Sequence, residues 1–253
     1  MSFQILTYGD PEADTLLLQM VDDHDMEGMD REIAKIREMT GGKDFCLKAV
    51  PVNSWNKDLS PWNAPAVFGK EDFGDGAPET LDFLLREAVP AKSNAGARAE
   101  ADAADAVARA EADAADAGSP ASSGAAGPKQ VFLGGYSLAA LFALWAGYQT
   151  GRFDGIAAAS PSMWFPGFLD YMRAKPMQAE AVYLSLGDKE ERTRNPVMAQ
   201  VGTAIRTGYE CLKNAGVSCV LEWNPGNHFR DADLRTAKAF AWLMNRKQAD
   251  AAE

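Results

Sequence analysis

The sequence has few of the residues that hold secreted domains together covalently. Its 253 residues include only three cysteines, Cys46, Cys211 and Cys219, and these lack the spacing of metal ligands. A small, odd number of cysteines is typical of a reducing compartment, so we expect a cytoplasmic protein without a disulfide framework. The first residues lack a basic segment followed by an apolar one, and we therefore expect no secretion signal.

Long hydrophobic runs and a basic surface are also missing. No stretch of about 18 apolar residues occurs, so the sequence predicts no membrane-spanning helix. Acidic residues outnumber basic ones by 36 to 25, which gives a net charge of −11. Because such a surface repels nucleic acid and anionic membranes, we expect neither as a partner, and the sequence leaves a homo-oligomer open. Apolar residues make up 47%, enough for a sizeable core.

One segment differs in composition from the rest. Residues 92–128 are mostly Ala, Asp, Glu, Ser and Gly, and ARAEADAADA occurs twice in succession, from Ala97 and from Ala108. These residues offer almost no large side chains to a core, which indicates a solvated helix or a mobile insert. We therefore expect a single domain over 1–253 that carries a low-complexity insert at about 92–128, and a fold that survives deletion of the insert.

The remaining sequence alternates short apolar runs with helical patterns. The runs predict buried strands at Thr15–Val21, Phe45–Val52, Gln130–Gly134, Gly155–Ala158, Val182–Leu186 and Ser218–Trp223, with an antiparallel edge strand at Phe3–Tyr8. Helices are predicted at Met29–Met39, Thr80–Val89, Ser137–Tyr148, Pro196–Ala215 and Asp231–Asn245. This alternation predicts an α/β fold with a doubly wound, mostly parallel sheet that has helices on both faces. Such sheets bind ligands at the carboxyl ends of their strands.

The segment GGYSLAALFALWA contains a candidate nucleophile, Ser137. It lies between a predicted strand and a predicted helix, and Gly135 and Ala139 flank it in a G-x-S-x-A pattern. A nucleophile elbow needs small residues at these two positions, because strand and helix pass close together there. The alternative is an ordinary glycine turn in which a serine caps the helix. The strand before and the helix after Ser137 favour the elbow.

A serine nucleophile needs a base and an orienting acid, which in this arrangement follow it in the order acid, then histidine. The sequence has two histidines, and only His228 comes after Ser137, in a loop after the last predicted strand. The alternative is that His228 is an ordinary histidine in a surface loop. The acid should follow the strand Val182–Leu186, where Asp188, Glu190 and Glu191 compete. Proteins of analogous fold often have the acid three residues after a loop glycine, which favours Glu190, with Asp188 as the alternative acid and Glu191 third.

The oxyanion formed during acyl transfer needs two backbone N–H donors. One is expected from Leu138, directly after the nucleophile, and the other from Asp23 or His24, after the strand Thr15–Val21. The acids around His24 also suggest a metal site. Turn chemistry explains them better, since no second cluster of ligands is visible. We therefore expect no metal and no other cofactor.

Aromatic residues are concentrated in loops that should lie over the carboxyl edge of the sheet. Trp55, Trp62, Phe68 and Phe73 occur between Asn53 and Gly74, and Trp164 follows another strand. They are candidates either for the wall of a substrate pocket or for a hydrophobic cluster that holds a long loop. The candidate substrate-binding residues are Tyr136, Trp55, Trp62 and Trp164.

The segments GGYSLAALFALWA, FDGIAAASPSMWF, LSLGDKEERTRN and GNHF together resemble the esterase-D/enterochelin-esterase-like branch of the α/β-hydrolases. The upstream segments VDDHD and WNKDLSPWNAPAVFG resemble bacterial esterases of the same branch. The resemblance implies the α/β-hydrolase fold and serine hydrolysis of carboxylic esters, with Ser137 as nucleophile, His228 as base and an oxyanion donor at Leu138. Ala139 departs from the usual final glycine, and the position of the acid is ambiguous.

These observations predict a serine hydrolase that cleaves small-molecule carboxylic esters through Ser137, His228 and Glu190, by way of an acyl-enzyme. Two alternatives remain open. An acyltransferase would use the same residues with an alcohol or thiol in place of water. A non-catalytic α/β-hydrolase scaffold would bind a ligand or partner, although such a scaffold has no need to retain all three residues.

Overall fold

The structure is a computed structural model that describes residues 2–90 and 127–246. The insert predicted at about 92–128 lies outside the described residues except for Gly127 and Pro128. The insert, and the single domain that carries it, therefore stay predictions.

The described chain forms one seven-stranded sheet with the order β1-β3-β2-β4-β5-β6-β7. Six strands run parallel to their neighbours, and β1 pairs antiparallel with β3 at one edge. This confirms the predicted mostly parallel sheet and its antiparallel edge strand. The strands are β1 Leu6–Gly9, β2 Thr15–Val21, β3 Cys46–Pro51, β4 Gln130–Tyr136, β5 Gly155–Ala159, β6 Ala181–Gly187 and β7 Ser218–Asn224.

Helices cover both faces of the sheet, as a doubly wound fold requires. Along β2, Leu16 and Leu18 belong to the hydrophobic cluster on one face and Leu17 to the cluster on the other, because successive side chains of a strand point in opposite directions. The helices are α1 Asp23–Met39, α2 Trp55–Asp58, α3 Ala77–Phe83, α4 Leu138–Gln149, α5 Phe168–Ala174, α6 Val201–Asn214 and α7 Ala232–Asn245. None of the helices in the described ranges is long and apolar enough to cross a membrane.

Several helical predictions differ from the structure. The short α2 was not predicted, and α6 begins at Val201 rather than at Pro196. Helix α1 begins at Asp23, six residues before the predicted Met29, because Asp22 and Asp25 form a capping box. The helix predicted over Thr80–Val89 is α3 followed by a π-helical turn, Leu84–Ala88. Helix α5 was not predicted, since only seven residues after Gly167 form it and the sequence signal is short.

Candidate active site

Ser137 occupies a one-residue turn between β4 and α4. Its backbone has φ 58° and ψ −116°, in the left-handed region that residues with a side chain seldom adopt. Hydrogen bonds hold this geometry from both sides: the Ser137 N–H donates to the carbonyl of Ala159, and its own carbonyl accepts from the N–H groups of Leu141 and Ser162, each at 3.1 Å. Backbone strain of this kind persists only where the surroundings enforce it, and it concentrates at functional sites.

Small residues make the turn possible. A Cβ placed on Gly135 would lie 2.7 Å from the Cβ of Ala139, so strand and helix touch at this point. A Cβ on Gly134 would lie 2.7 Å from the Cβ of Ala157 and 2.8 Å from the ring of Phe240. Gly135, two residues before Ser137, and Ala139, two residues after it, therefore satisfy the steric condition of a nucleophile elbow.

The structure brings Ser137, His228 and Glu190 together. The Nε2 atom of His228 lies 3.0 Å from the Oγ of Ser137, and its Nδ1 lies 2.7 Å from Oε2 of Glu190. These residues follow β4, β7 and β6, whose carboxyl ends share one edge of the sheet. The arrangement gives the serine a hydrogen-bonded imidazole, and it gives the imidazole a carboxylate that fixes its orientation.

Glu190 is buried, with a side chain that is only 3% exposed. Its Oε1 accepts hydrogen bonds from the N–H of Gly187 at 2.7 Å, from the hydroxyl of Ser160 at 2.8 Å and from Arg235 at 2.7 Å. Burial by itself raises the pKa of Glu190, but the hydrogen bond and charge of His228, together with the hydrogen bonds from Gly187 and Ser160, bring that pKa below its usual value. The carboxyl group is therefore held in its ionised form.

The other two candidate acids lie elsewhere. Asp188 accepts a hydrogen bond from the N–H of Gly226 through its Oδ1, at 2.8 Å. Glu191 lies near the surface, 3.4 Å from the guanidinium of Arg206. Of the three carboxylates, the structure places Glu190 against His228.

A cavity of about 570 Å³ opens beside Ser137 and His228. Much of its wall is apolar, and Lys189 and Arg192 also line it. The predicted pocket residue Trp164 forms part of this wall. The apolar lining consists of Phe68, Pro161, Trp164, Met198, Val201 and Phe229.

A second, smaller cavity of about 160 Å³ also borders Ser137 and His228. The predicted pocket residues Trp55 and Tyr136 line it, together with the start of α1. Tyr136 is nearly buried and also has a structural contact, since its hydroxyl donates to the carbonyl of His228 at 2.7 Å. Burial is the largest of the effects that raise the pKa of Tyr136, so its hydroxyl stays protonated.

The structure does not bring Trp62 to either cavity. Its Nε1 donates to the carbonyl of Pro166 at 2.9 Å, and its ring packs against Phe165, Phe168 and Tyr171. Trp62 therefore holds the long loop against α5, which was the alternative interpretation of the aromatic loop.

The predicted oxyanion donors lie at two helix starts that border Ser137. Leu138 is the first residue of α4, and Asp23 and His24 are the first two residues of α1. N–H groups in the first turn of a helix have no acceptor within that helix, so they are available to an anion. His24 lines the smaller cavity with its neighbours Asp22 and Asp25.

Sequence reasoning missed three residues around the site. Arg235 is 2% exposed and contacts Glu190 from α7; its position on the buried face of that helix was the available signal. The hydroxyl of Ser160, whose backbone φ is 45°, donates a hydrogen bond to Glu190, and no sequence pattern marks this residue. Phe229 is 84% exposed and lines both cavities, and only its position next to His228 hinted at this. Asp231, directly before α7, also has a positive φ of 54°.

Comparison of the sequence with protein-family models and with curated proteins gave no match. Solved structures are similar. Siderophore hydrolase EstB from Aspergillus nidulans has a TM-score of 0.65 at 14% identity, and EstA from the same organism 0.62 at 17%; both alignments cover 96% of this chain and 90% of the other. Enterobactin and salmochelin hydrolase IroE has a TM-score of 0.59 at 16% identity, covering 96% and 89%.

These similarities, together with the observed sheet, show that the protein has the α/β-hydrolase fold. The similar structures are siderophore and enterobactin hydrolases, the branch that the sequence motifs resemble. The predicted resemblance is thereby confirmed at the level of the fold.

Proposed function

We propose that this protein is a serine hydrolase that cleaves carboxylic esters of small molecules. The observation that carries the proposal is the continuous hydrogen-bonded path from Glu190 through His228 to Ser137, which lies on a strained turn. A non-catalytic scaffold would have no use for the strain at Ser137 or for the buried ionised carboxylate. Among the solved structures of similar fold are an enterobactin esterase and an enterochelin esterase from Shigella flexneri, which supports ester hydrolysis as the reaction.

In the proposed mechanism, Oγ of Ser137 attacks the ester carbonyl carbon while Nε2 of His228 takes its proton. Glu190 orients the imidazole and stabilises the imidazolium that forms. The N–H groups of Leu138 and of His24 or Asp23 bind the oxyanion of the tetrahedral intermediate. His24 is favoured over Asp23 because it lines the smaller cavity with Ser137. Imidazolium then protonates the departing alcohol, and water, activated in the same way, releases the acid.

Labelling with a fluorophosphonate probe, followed by mass spectrometry of the modified peptide, tests this function. IroE was determined as a complex with the organophosphorus reagent DFP, which makes this probe class a suitable choice. We expect one adduct, on Ser137, that disappears in Ser137→Ala and in His228→Ala.

Ser162→Ala is the matched control, because the Ser162 hydroxyl lies only 3.4 Å from that of Ser137. We expect it to be labelled as in the wild type. An unlabelled folded wild type, or an adduct that survives in Ser137→Ala, would contradict the proposal. Hydrolysis of p-nitrophenyl esters should fall by about 10³-fold or more in Ser137→Ala, since the three residues act as a unit.

A further inference from the structure

Arg235 is a buried arginine that contacts several of the segments around the proposed triad. Its Nη1 lies 2.7 Å from Oε1 of Glu190, 3.0 Å from the hydroxyl of Tyr136 and 3.2 Å from that of Ser160. Its Nη2 lies 3.2 Å from the carbonyl of Pro225 and 3.0 Å from that of Asn227. One guanidinium thus joins the acid, the strand before Ser137 and the loop before His228.

This position gives Arg235 no access to substrate. Its side chain is 2% exposed, so it can influence the reaction only through its neighbours. Burying a guanidinium carries a large desolvation cost, which its contacts must offset. The same chain could have placed an apolar residue here, as it does elsewhere on the buried face of α7, for example at Phe240 and Leu243.

The charges around Arg235 leave Glu190 as its counter-ion among the residues that the structure describes. Tyr136 from β4 and Tyr183 from β6 also face it, but burial raises the pKa of both phenols, so they stay neutral. Glu222 on β7 pairs instead with Lys238, at 2.6 Å. On α7 itself, Asp233 pairs with Arg31 of α1, whose side chain is exposed.

The proposed mechanism sets a condition on the Glu190–His228 pair. It must carry one negative charge in total, with a neutral imidazole, to accept the proton of Ser137. One further proton on the pair, on either residue, removes the base or its partner. A positive charge on the far side of the carboxylate opposes that further proton by Coulomb repulsion.

We propose that Arg235 is a positioning residue that keeps the Glu190–His228 pair in its proton-accepting form and fixes the loop before His228. The inference rests on the proposed function and adds to it a residue that acts through Glu190. The planar guanidinium provides donors in two directions, which a lysine ammonium cannot reproduce with the same geometry. Charge and geometry can therefore be separated by substitution.

The pH dependence of kcat/KM for p-nitrophenyl butyrate tests the inference. In Arg235→Met we expect kcat/KM at pH 7 to fall at least about tenfold, with KM changed less than about twofold. The pH at which activity is half lost on the acidic side should rise by about one unit. Arg235→Lys should keep this midpoint near that of the wild type while losing part of kcat.

A double-mutant cycle with Glu190→Gln provides the second test. If Arg235 acts through Glu190, Arg235→Met should lower kcat/KM by less than about threefold in the Glu190→Gln background. An equal loss in both backgrounds would overturn the inference. If Arg235→Met alone leaves Glu190 unpaired and does not fold, the double variant, which lacks both buried charges, still measures the effect of Arg235 in the Glu190→Gln background. A loss of kcat/KM there of about tenfold or more, relative to Glu190→Gln, would overturn the inference.

Lys238→Met is the matched control, because it removes a salt bridge from the same helix away from Ser137. We expect its acidic midpoint to equal that of the wild type. The same midpoint in Arg235→Met as in the wild type, or the same shift in Lys238→Met, would also overturn the inference. Failure of the proposed function is distinguishable, because the wild type would then neither react with a fluorophosphonate nor hydrolyse the ester.

Discussion

Asp188 accepts a hydrogen bond from the backbone N–H of Gly226, 2.8 Å away, and so ties the loop after β6 to the loop that carries His228. Two residues further on, Glu190 contacts the imidazole itself. The two carboxylates thus have separate tasks: Asp188 holds the backbone of the histidine loop, and Glu190 faces the ring.

These separate tasks predict different losses of activity when each carboxylate is replaced by its nearly isosteric, neutral amide. Glu190→Gln should lower kcat/KM by about 10² to 10⁴-fold, because it removes the charge that orients and stabilises the imidazolium. Asp188→Asn keeps an acceptor for the N–H of Gly226 and should cost less than about tenfold. Steady-state kinetics on a p-nitrophenyl ester measures both. A larger loss in Asp188→Asn would move the acid to Asp188.

The contact between Gly135 and Ala139 predicts a steric effect that can be reversed. Gly135→Ala should lower the free energy of unfolding by about 2 kcal/mol and reduce ester hydrolysis, because the new Cβ would lie 2.7 Å from that of Ala139. Adding Ala139→Gly removes this contact and should recover part of both losses. Urea denaturation and kinetics of the single and double variants check this. If the double variant were no more stable than Gly135→Ala, the contact would not be the cause.

Removal of Trp164 should change the preference between esters, whereas removal of Trp62 should change the stability of the fold. Trp164→Ala removes part of the cavity wall and should reduce kcat/KM for p-nitrophenyl octanoate about tenfold more than for the acetate. Trp62→Ala should lower stability by about 2 kcal/mol and leave the ratio between the two esters unchanged. The paired measurement of ester preference and unfolding midpoint distinguishes them. A changed ester ratio in Trp62→Ala would place Trp62 at the substrate.

The raised pKa of Asp25 predicts that the stability of the folded protein depends on pH. Burial, followed by the charge of Asp22, raises the pKa of Asp25 to about 7, above its value of about 3.9 in an unfolded chain. The folded protein therefore holds a proton that the unfolded chain has lost, and its stability falls as pH rises from about 4 to 7. Asp25→Asn should have little effect on the free energy of unfolding near pH 4. At pH 8 it should raise that free energy by up to about 4 kcal/mol, because the pKa difference of about three units corresponds to about 1.4 kcal/mol per unit.

Urea denaturation at both pH values tests the effect of Asp25, and Asp23→Asn, an exposed change in the same turn, serves as the control. If stability changed with pH equally in Asp25→Asn and in the wild type, the predicted effect of Asp25 would be contradicted. The buried Glu32 contributes in the same direction, since burial raises its pKa too, so part of the wild-type slope should remain.

Local sequence signals were sufficient to predict the strands of the sheet. They also indicated the chain order of the candidate site residues: serine, then acid, then histidine. Continuous apolar runs such as Thr15–Val21 mark buried parallel strands, and β2 has the predicted bounds. The elbow around Ser137 has a steric signature that is readable in five residues. Glu190 was favoured by its distance from Gly187, and the structure places it against His228, although its catalytic role stays a prediction.

Other features depend on contacts between distant segments, which no local pattern contains. Arg235 and Ser160 reach Glu190 from different elements, so their roles depend on how the sheet and α7 pack together. Trp62 and Trp164 look alike in the sequence, since both are tryptophans in aromatic loops. Only the folded chain shows that one packs against Phe168 and the other against the cavity.

The left-handed backbone positions have a consequence for engineering. Among the described residues other than glycine, positive φ occurs at Ser137, Ser160 and Asp231. The first carries the hydroxyl that we propose as the nucleophile, the second donates a hydrogen bond to Glu190, and the third precedes the helix that supplies Arg235. Selection for heat resistance alone would favour glycine or asparagine at such positions, because these residues relieve the strain. Thermal robustness and turnover should therefore trade off at these three residues, and a stabilisation programme should leave them untouched.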